Sequence, residues 1–422
     1  MTGVVFAMRG EPLALLGNTQ GLDILSIAVR PERFPMVASD SPLAEGTLLS
    51  GALWSLDGFI EGWIEIASGK VGAVGFGVPP RSPDHEGWIV PPWVDGHTHL
   101  GDRGLRGSPQ AERADLATLV APPNGVKHRY LTTTPRSDLV EQAARFLSEC
   151  CAGGTGWIWD FRESALQGQQ ILWDALAAGG QAPYVHAYYR PEAFAGTSDY
   201  GSLPTVPAAV RSRTEIAGVH LSSVSDHSPE ELDSFRRWAA HLGAPVALHF
   251  CEGHAEPLSQ LEILRPVRVI HLTHADRASI RAVRRLGSTV VLCVRSNARF
   301  GIAPDLRPIL EEGIRPMLGT DNAFLHEPVF AEEVGAFLRL AARQGLDPHL
   351  AWRAIDVGWN DQVRAGSLPW EVGAPAQVQL YPQWSEDFVD DLLQGTGPSP
   401  KLGPFRPLVV SDGTATPVVS PT

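Results

Sequence analysis

The chain is poor in sulfur and in positive charge. Its 422 residues include four cysteines and four methionines, and 34 basic residues stand against 47 acidic ones. Cys150, Cys151, Cys251 and Cys293 show no Cys-x-x-Cys spacing. That excludes a disulfide framework and fits reduced, mostly buried thiols in a cytoplasmic protein. No apolar run approaches a membrane span. Met1 to Arg9 lack a basic segment leading into a long apolar core, so neither a spanning helix nor a cleaved leader is predicted. The net charge of −13 repels phosphate backbones and argues against a nucleic acid partner, while leaving the sign of any local pocket open. There is no low-complexity tract.

What is present is ordinary globular material, 44% hydrophobic and 19% charged, long enough for more than one domain. Forty-two glycines and 35 prolines are spread through turns. Trp63 to Ala67 alternates, Ser68-Gly69-Lys70 turns, and Val71 to Gly75 returns, which predicts a hairpin. Residues 45–60 carry no clear pattern. From about residue 90 short apolar runs alternate with helical stretches. Eight strands are predicted: 89–94, 156–160, 184–188, 216–220, 245–249, 267–271, 289–293 and 314–319. Helices are expected at 139–150, 279–286 and 306–312, with the longest at 327–344. Another begins at Ser228-Pro-Glu-Glu, a capping sequence, and stops at Gly243. From about Gly373 the β texture returns, in Val378 to Tyr381 and Phe405 to Ser411, around a Gly/Pro-rich stretch at 392–404. The fold class is therefore α/β: a (β/α)8 TIM barrel over 91–372, and a small β-sandwich domain from 1–90 and 373–422.

The chemistry-bearing residues stand at strand ends. In Asp95-Gly-His97-Thr-His99 the two histidines are two apart, so on an extended chain both imidazoles can face one ion. His249 closes an apolar strand and can be a third ligand, with Glu252 three residues on, within reach of an attacking water. His271 ends the next strand and His274 follows; one can orient water or substrate, the other can be solvated. Asp321, in Gly319-Thr-Asp, can bind metal and accept a proton. Each alone has a plain alternative as a turn or backbone-bonded residue; convergence at one barrel mouth favours a site. Arg103, Arg162, His220, His227, His254 and Arg295 are further candidates for substrate contact. For the first two, pairing with Asp102 or Glu163 at the rim is the competing reading.

This set resembles the amidohydrolase superfamily, in its branch of aminohydrolases and chlorohydrolases, which includes guanine, cytosine and adenosylhomocysteine deaminases. The motifs are Val94-Asp-Gly-His97-Thr-His99, His249-Phe-Cys-Glu252, His271, Cys293-Val-Arg-Ser296-Asn297 and Gly319-Thr-Asp321. Val294 stands where the branch usually has proline, and the stretch from His249 to His271 is shorter than in many relatives. The resemblance implies metal ligands at His97, His99, His249 and Asp321. It implies a contact to water or substrate at His271, and a proton shuttle at Glu252. Two-metal members usually carry a lysine at the end of strand four; Gly218-Val-His220-Leu-Ser-Ser has none, so one divalent metal is expected. Zinc is preferred, with Fe2+ or Mn2+ as alternatives. The implied activity is hydrolytic deamination of an amino-substituted heterocycle, with cleavage of a cyclic amide or imide as the alternative. The expected partner is a small-molecule substrate, and a homo-oligomer is compatible with the sequence.

Overall fold

The computed structural model describes residues 46–55, 58–120, 124–191, 200–358, 370–373, 376, 378–381, 389, 393 and 408–409. The readings for Met1 to Arg9, for residues 392–404 apart from 393, and most of those for the two chain ends lie outside the described residues.

Two sheets organise the chain. The first holds β1 (Thr47–Ser55), β2 (Gly58–Ala67), β3 (Lys70–Phe76), β4 (His85–Val90), β14 (Gln379–Tyr381) and β15 (Leu408–Val409), in the order β15-β14-β4-β1-β2-β3. The expected hairpin is β2–β3, closing with Ala67 opposite Lys70. Ser68 and Gly69 both take positive φ, as a two-residue hairpin turn requires. β1 was not legible, because Ser50 and Gly51 interrupt its apolar alternation. Strands from both ends of the chain thus share one mixed sheet.

The second sheet is all parallel. Its strands are β5 (Trp93–His99), β6 (Thr155–Arg162), β7 (Tyr184–Tyr189), β8 (Thr214–Leu221), β9 (Val246–Phe250), β10 (Arg268–His271), β11 (Thr289–Leu292), β12 (Met317–Leu318) and β13 (Asp321–Asn322). They pair in sequence order, and β13 returns to β5 with Asp321 opposite Thr98. β12 and β13 are two halves of one broken eighth strand, so the sheet closes as a (β/α)8 barrel. Val94, Phe161, Tyr188, Ala247, Ile270, Val291 and Met317 fill its interior.

Two expectations need correction. The strand expected at 89–94 is two strands: Ile89 and Val90 belong to β4 in the mixed sheet, and the barrel strand begins at Trp93. Pro91 and Pro92 lie between them and have no N–H to continue a ladder. Among the described residues the longest helix is Arg136–Ala152, with 17 residues, rather than the Phe330–Arg343 helix, with 14. Pro328 disfavours helical backbone just before it, which delays the start of the latter. The Ser228 capping box forms as expected, and Gly243 takes positive φ just past that helix.

The junction between the sheets is polar and buried. Trp93 Nε1 donates to Tyr381 Oη at 2.7 Å, and Tyr381 donates to Gln379 Oε1 at 3.0 Å. Gln379 Nε2 in turn donates to Pro91 O at 3.1 Å and Gly154 O at 2.6 Å.

Candidate metal centre

The C-terminal ends of the barrel strands are bent in an unusual way. Of eight described non-glycine residues with positive φ, six follow or end barrel strands: Ser164, Ala165, Cys251, His271, Leu272 and Asp321. Such backbone costs energy at each residue and persists where surrounding structure holds it. Two of these residues, His271 and Asp321, belong to a cluster of ligand-type side chains, while Ala165, Cys251 and Leu272 pack into the apolar core.

His97, His99 and His249 converge at these strand ends, as do His97, His271 and Asp321; within each group one donor atom from every residue lies within 4.8 Å of the others. His97 Nε2 is 3.2 Å from Asp321 Oδ1, and His99 Nε2 is 3.2 Å from His249 Nε2. The close approach depends on Gly319, where a Cβ would stand 2.8 Å from His97 Cβ. Asp95 fastens the broken eighth strand to the first, accepting from Thr320 N at 3.0 Å and Thr320 Oγ1 at 2.5 Å. Burial pushes its carboxyl up to about 7 against those bonds.

Three of the imidazoles are steered from behind. His99 Nδ1 lies 3.2 Å from Phe161 O, and His249 Nδ1 lies 3.2 Å from Leu221 O. His271 Nδ1 faces Asn297 Nδ2 at 3.3 Å, and Ser296 Oγ donates to Asp321 Oδ2 at 2.5 Å. Burial lowers His97 to about 3 and takes His249 well below the usual histidine value, so both imidazoles stay neutral. Burial opposes charge on Asp321, but His97 and His271 beside it hold its carboxyl well below the usual range. Neutral imidazoles and an ionised carboxylate are the ligand-competent forms. Three nitrogens and one oxygen suit zinc and related divalent cations. Both ring nitrogens of His97 are buried without a well-aligned hydrogen bond, and Nε2 stands beside Asp321 Oδ1, as befits two ligands of one ion. The residues present therefore fit a single cation.

A cavity of about 720 Å³ opens over this cluster. His99, His220, His249, Glu252, His254 and Asp321 line it. Glu252 Oε2 stands 3.5 Å from His271 Nε2, and burial raises its carboxyl above the ordinary glutamate range against the pull of His271. His220 Nε2 faces Arg162 O at 3.2 Å, while its Nδ1 is buried without a partner.

Other sequence candidates lie elsewhere. Arg103 bonds Glu149 and Gln142. Arg162 is buried against Asp160 at 3.1 Å. Arg295 pairs with Glu332 at 2.6 Å and also donates to Glu327 O. His274 is exposed, and its backbone N–H donates to Cys251 O.

Among the cavity residues that the sequence reading did not single out, three charged ones stand out. Lys127, on the Val126–Thr133 helix, is buried with Nζ 2.7 Å from Glu163 Oε1 and 3.2 Å from Asn322 Oδ1. Burial disfavours its charge, but Glu163 and Asp102 outweigh this and raise its pKa. Glu163, just past β6, is held well below the usual range by Lys127, His99 and Arg162 despite its burial. Arg190 directly follows β7, a strand end that the rule used for the histidines would have flagged. Lys127 offered no local signal, since nothing in the helix sequence marks what it meets across space.

The sequence signature described as the amidohydrolase family matches residues 88–356. A protein of Methanothermobacter thermautotrophicus, provisionally named an aminohydrolase, is 26% identical over 315 residues, covering 71% of this chain and 80% of its own. Guanine deaminase from C. acetobutylicum, solved with bound guanine, superimposes with a TM-score of 0.63 at 16% identity, covering 87% of this chain and 99% of that one. A mutant atrazine chlorohydrolase from Arthrobacter aurescens, complexed with zinc and atraton, gives a TM-score of 0.63 at 21% identity, covering 89% and 97%. At those identities the two solved structures share the fold with this chain.

Proposed function

Because this chain belongs to the amidohydrolase family, we propose that it hydrolyses a carbon–nitrogen bond of an amino-substituted heterocycle, releasing ammonia. The supporting observation is the position of Glu252, a carboxyl in the cavity wall, three residues past His249 and 3.5 Å from His271. In this reading His97, His99, His249 and Asp321 hold one divalent cation, with zinc as the preferred ion and Fe2+ or Mn2+ as alternatives. When bound, the cation supplies the Lewis acidity that makes water a nucleophile near neutral pH.

The chain's own residues do the rest. Glu252 takes one proton from the attacking water and delivers it to the ring nitrogen; the second water proton, lost from the new hydroxyl as the carbonyl forms, passes through the same carboxylate to the departing amine, which leaves as ammonia. The raised carboxyl of Glu252 suits it to both directions of transfer. His271, oriented by Asn297, holds the water or the substrate beside Glu252. Asp321, fixed by Ser296, keeps negative charge next to the reacting centre. The cavity walls set the substrate's orientation, with His220 and His254 among them.

Glu252→Gln tests this. The variant should retain about one equivalent of zinc by elemental analysis while its turnover number falls by ~10²–10⁴-fold. Aminopurines, aminopyrimidines and aminotriazines are screened for ammonia release, then cyclic amides and imides for ring opening. Near-normal turnover in the variant removes Glu252 from the chemistry, and activity in the second set alone moves the reaction to ring opening.

A further inference from the structure

The cavity's charged residues are unequally provided for. Glu256 accepts from Cys251 N at 2.6 Å, from Ser225 N at 3.1 Å and from Ser223 Oγ. Asp115 accepts from Thr118 N at 2.7 Å, and Glu163 is matched by Lys127. Arg299 donates to Glu112 O. Arg113 lies exposed at the rim without a partner among the described residues, whereas Arg190 is half-buried. Its guanidinium carries five N–H donors, yet among the described residues it makes one hydrogen bond, to Ser222 Oγ at 3.3 Å, and forms no ion pair. Ser222 Oγ donates to Asp226 Oδ2 at 2.8 Å, which leaves the serine oxygen to accept from Arg190.

Arg190 is partly buried, and burial draws its pKa below the ordinary arginine value against Glu163 and Asp226. Arginine stays charged all the same, and its planar fork matches a carboxylate or phosphate with two parallel bonds. Leu116, Val120, Phe300 and Ile302 give the same cavity an apolar wall for a ring. A volume of about 720 Å³ is in the range that encloses a drug-sized ligand, more than a bare heterocyclic base needs. Arg190 comes from the third barrel strand, whereas the ligand cluster comes from the first, fifth, sixth and eighth.

We infer that Arg190 is the receptor for an anionic oxygen group, carboxylate or phosphate, that the substrate carries apart from its reacting carbon. This deepens the heterocycle reading and rests on it for the identity of the ring. Ser222 and Asp226 act as positioning residues behind the guanidinium.

Two experiments on the zinc-loaded full chain separate the claims. In the first, benzoate, phenyl phosphate and neutral benzamide are titrated calorimetrically into the native protein, Arg190→Gln and Arg190→Lys. One or both anions should bind the native protein better than benzamide. Arg190→Gln should lose about ten- to hundredfold of that affinity, and Arg190→Lys should recover part of it. The preferred anion distinguishes carboxylate from phosphate. No preference over benzamide, or an undiminished affinity in Arg190→Gln, overturns the inference whatever the enzyme hydrolyses. In the second, aminopurines with and without a carboxylate or phosphate tether are compared as substrates. Arg190→Gln should lower kcat/KM for the tethered member at least tenfold more than for the untethered one, mainly through KM. Equal losses on both assign Arg190 to structure alone. Anion binding through Arg190 without hydrolysis of any heterocycle rejects the deaminase reading and leaves the anion receptor standing.

Discussion

The Glu163 carboxylate lies 2.8 Å from Nδ1 of His99, on the side of the ring away from the ligand cluster. Its Oε1 is held at the same time by Lys127 at 2.7 Å. A carboxylate behind a ligating imidazole fixes the tautomer and makes the far nitrogen a better donor.

Glu163→Gln should therefore weaken zinc binding by about 10–100-fold, measured by competition with a chromophoric chelator. Lys127→Met should weaken it as well. It leaves Glu163 buried with less compensation, so the melting temperature should also fall. Unchanged zinc affinity in both variants would show that the pair stabilises the fold without tuning the ligand.

Gly319→Ala tests the close packing under the cluster. The added methyl would meet His97 Cβ at 2.8 Å and His97 O at 3.0 Å. Overpacking of this kind costs about 1–3 kcal/mol, and here the neighbour that must move is a proposed ligand. Stability in denaturant and zinc affinity should both decline. A variant that matches the native protein in both would mean the strand shifts without disturbing His97.

Glu333 gives the fold a pH dependence separate from the site. It is fully buried on the Phe330–Arg343 helix; Oε1 accepts from Arg295 N at 3.1 Å, and Oε2 has no hydrogen-bond partner. Burial raises its carboxyl from 4.5 to about 8, with Arg295 opposing. Between those two values the folded chain holds a proton that the unfolded chain has released. Stability from this group is therefore full below the lower value and declines as pH rises toward the upper one, by at most about 1.4 kcal/mol per pH unit. Glu333→Gln should melt at a higher temperature than the native protein at pH 8.5, and its melting temperature should vary less from pH 5 to 8. Parallel pH profiles would rule this out.

How much of this could be read in the sequence depended on whether the signal was local. His97, His99, His249, His271 and Asp321 each stand at or beside the end of an apolar run, and the strand-end rule needs nothing else. The eight barrel strands were legible because buried parallel strands are compact apolar segments between helices. The break at Pro91-Pro92 was passed over because the apolar run continues through it, while the backbone donors do not. Side-chain pairing across space was harder to see. Arg103 and Arg295 read as plausible substrate contacts, and their partners Glu149 and Glu332 lie on helices that the local sequence does not connect to them. Lys127 reaches the site from a short helix with no motif, and only the assembled barrel brings it to Glu163.

The bonds from Gln379 and Tyr381 to the base of the first barrel strand also bear on the order in which the molecule can assemble. A ribosome delivers Trp93 nearly three hundred residues before Tyr381. Until that late segment emerges, the bonds from Tyr381 to Trp93 Nε1 and from Gln379 to the carbonyls of Pro91 and Gly154 cannot form, and β4 lacks its neighbour β14. The barrel's first strand is thus made early and secured last, so a chain ending before β14 would lack the bonds that tie the base of that strand to the mixed sheet.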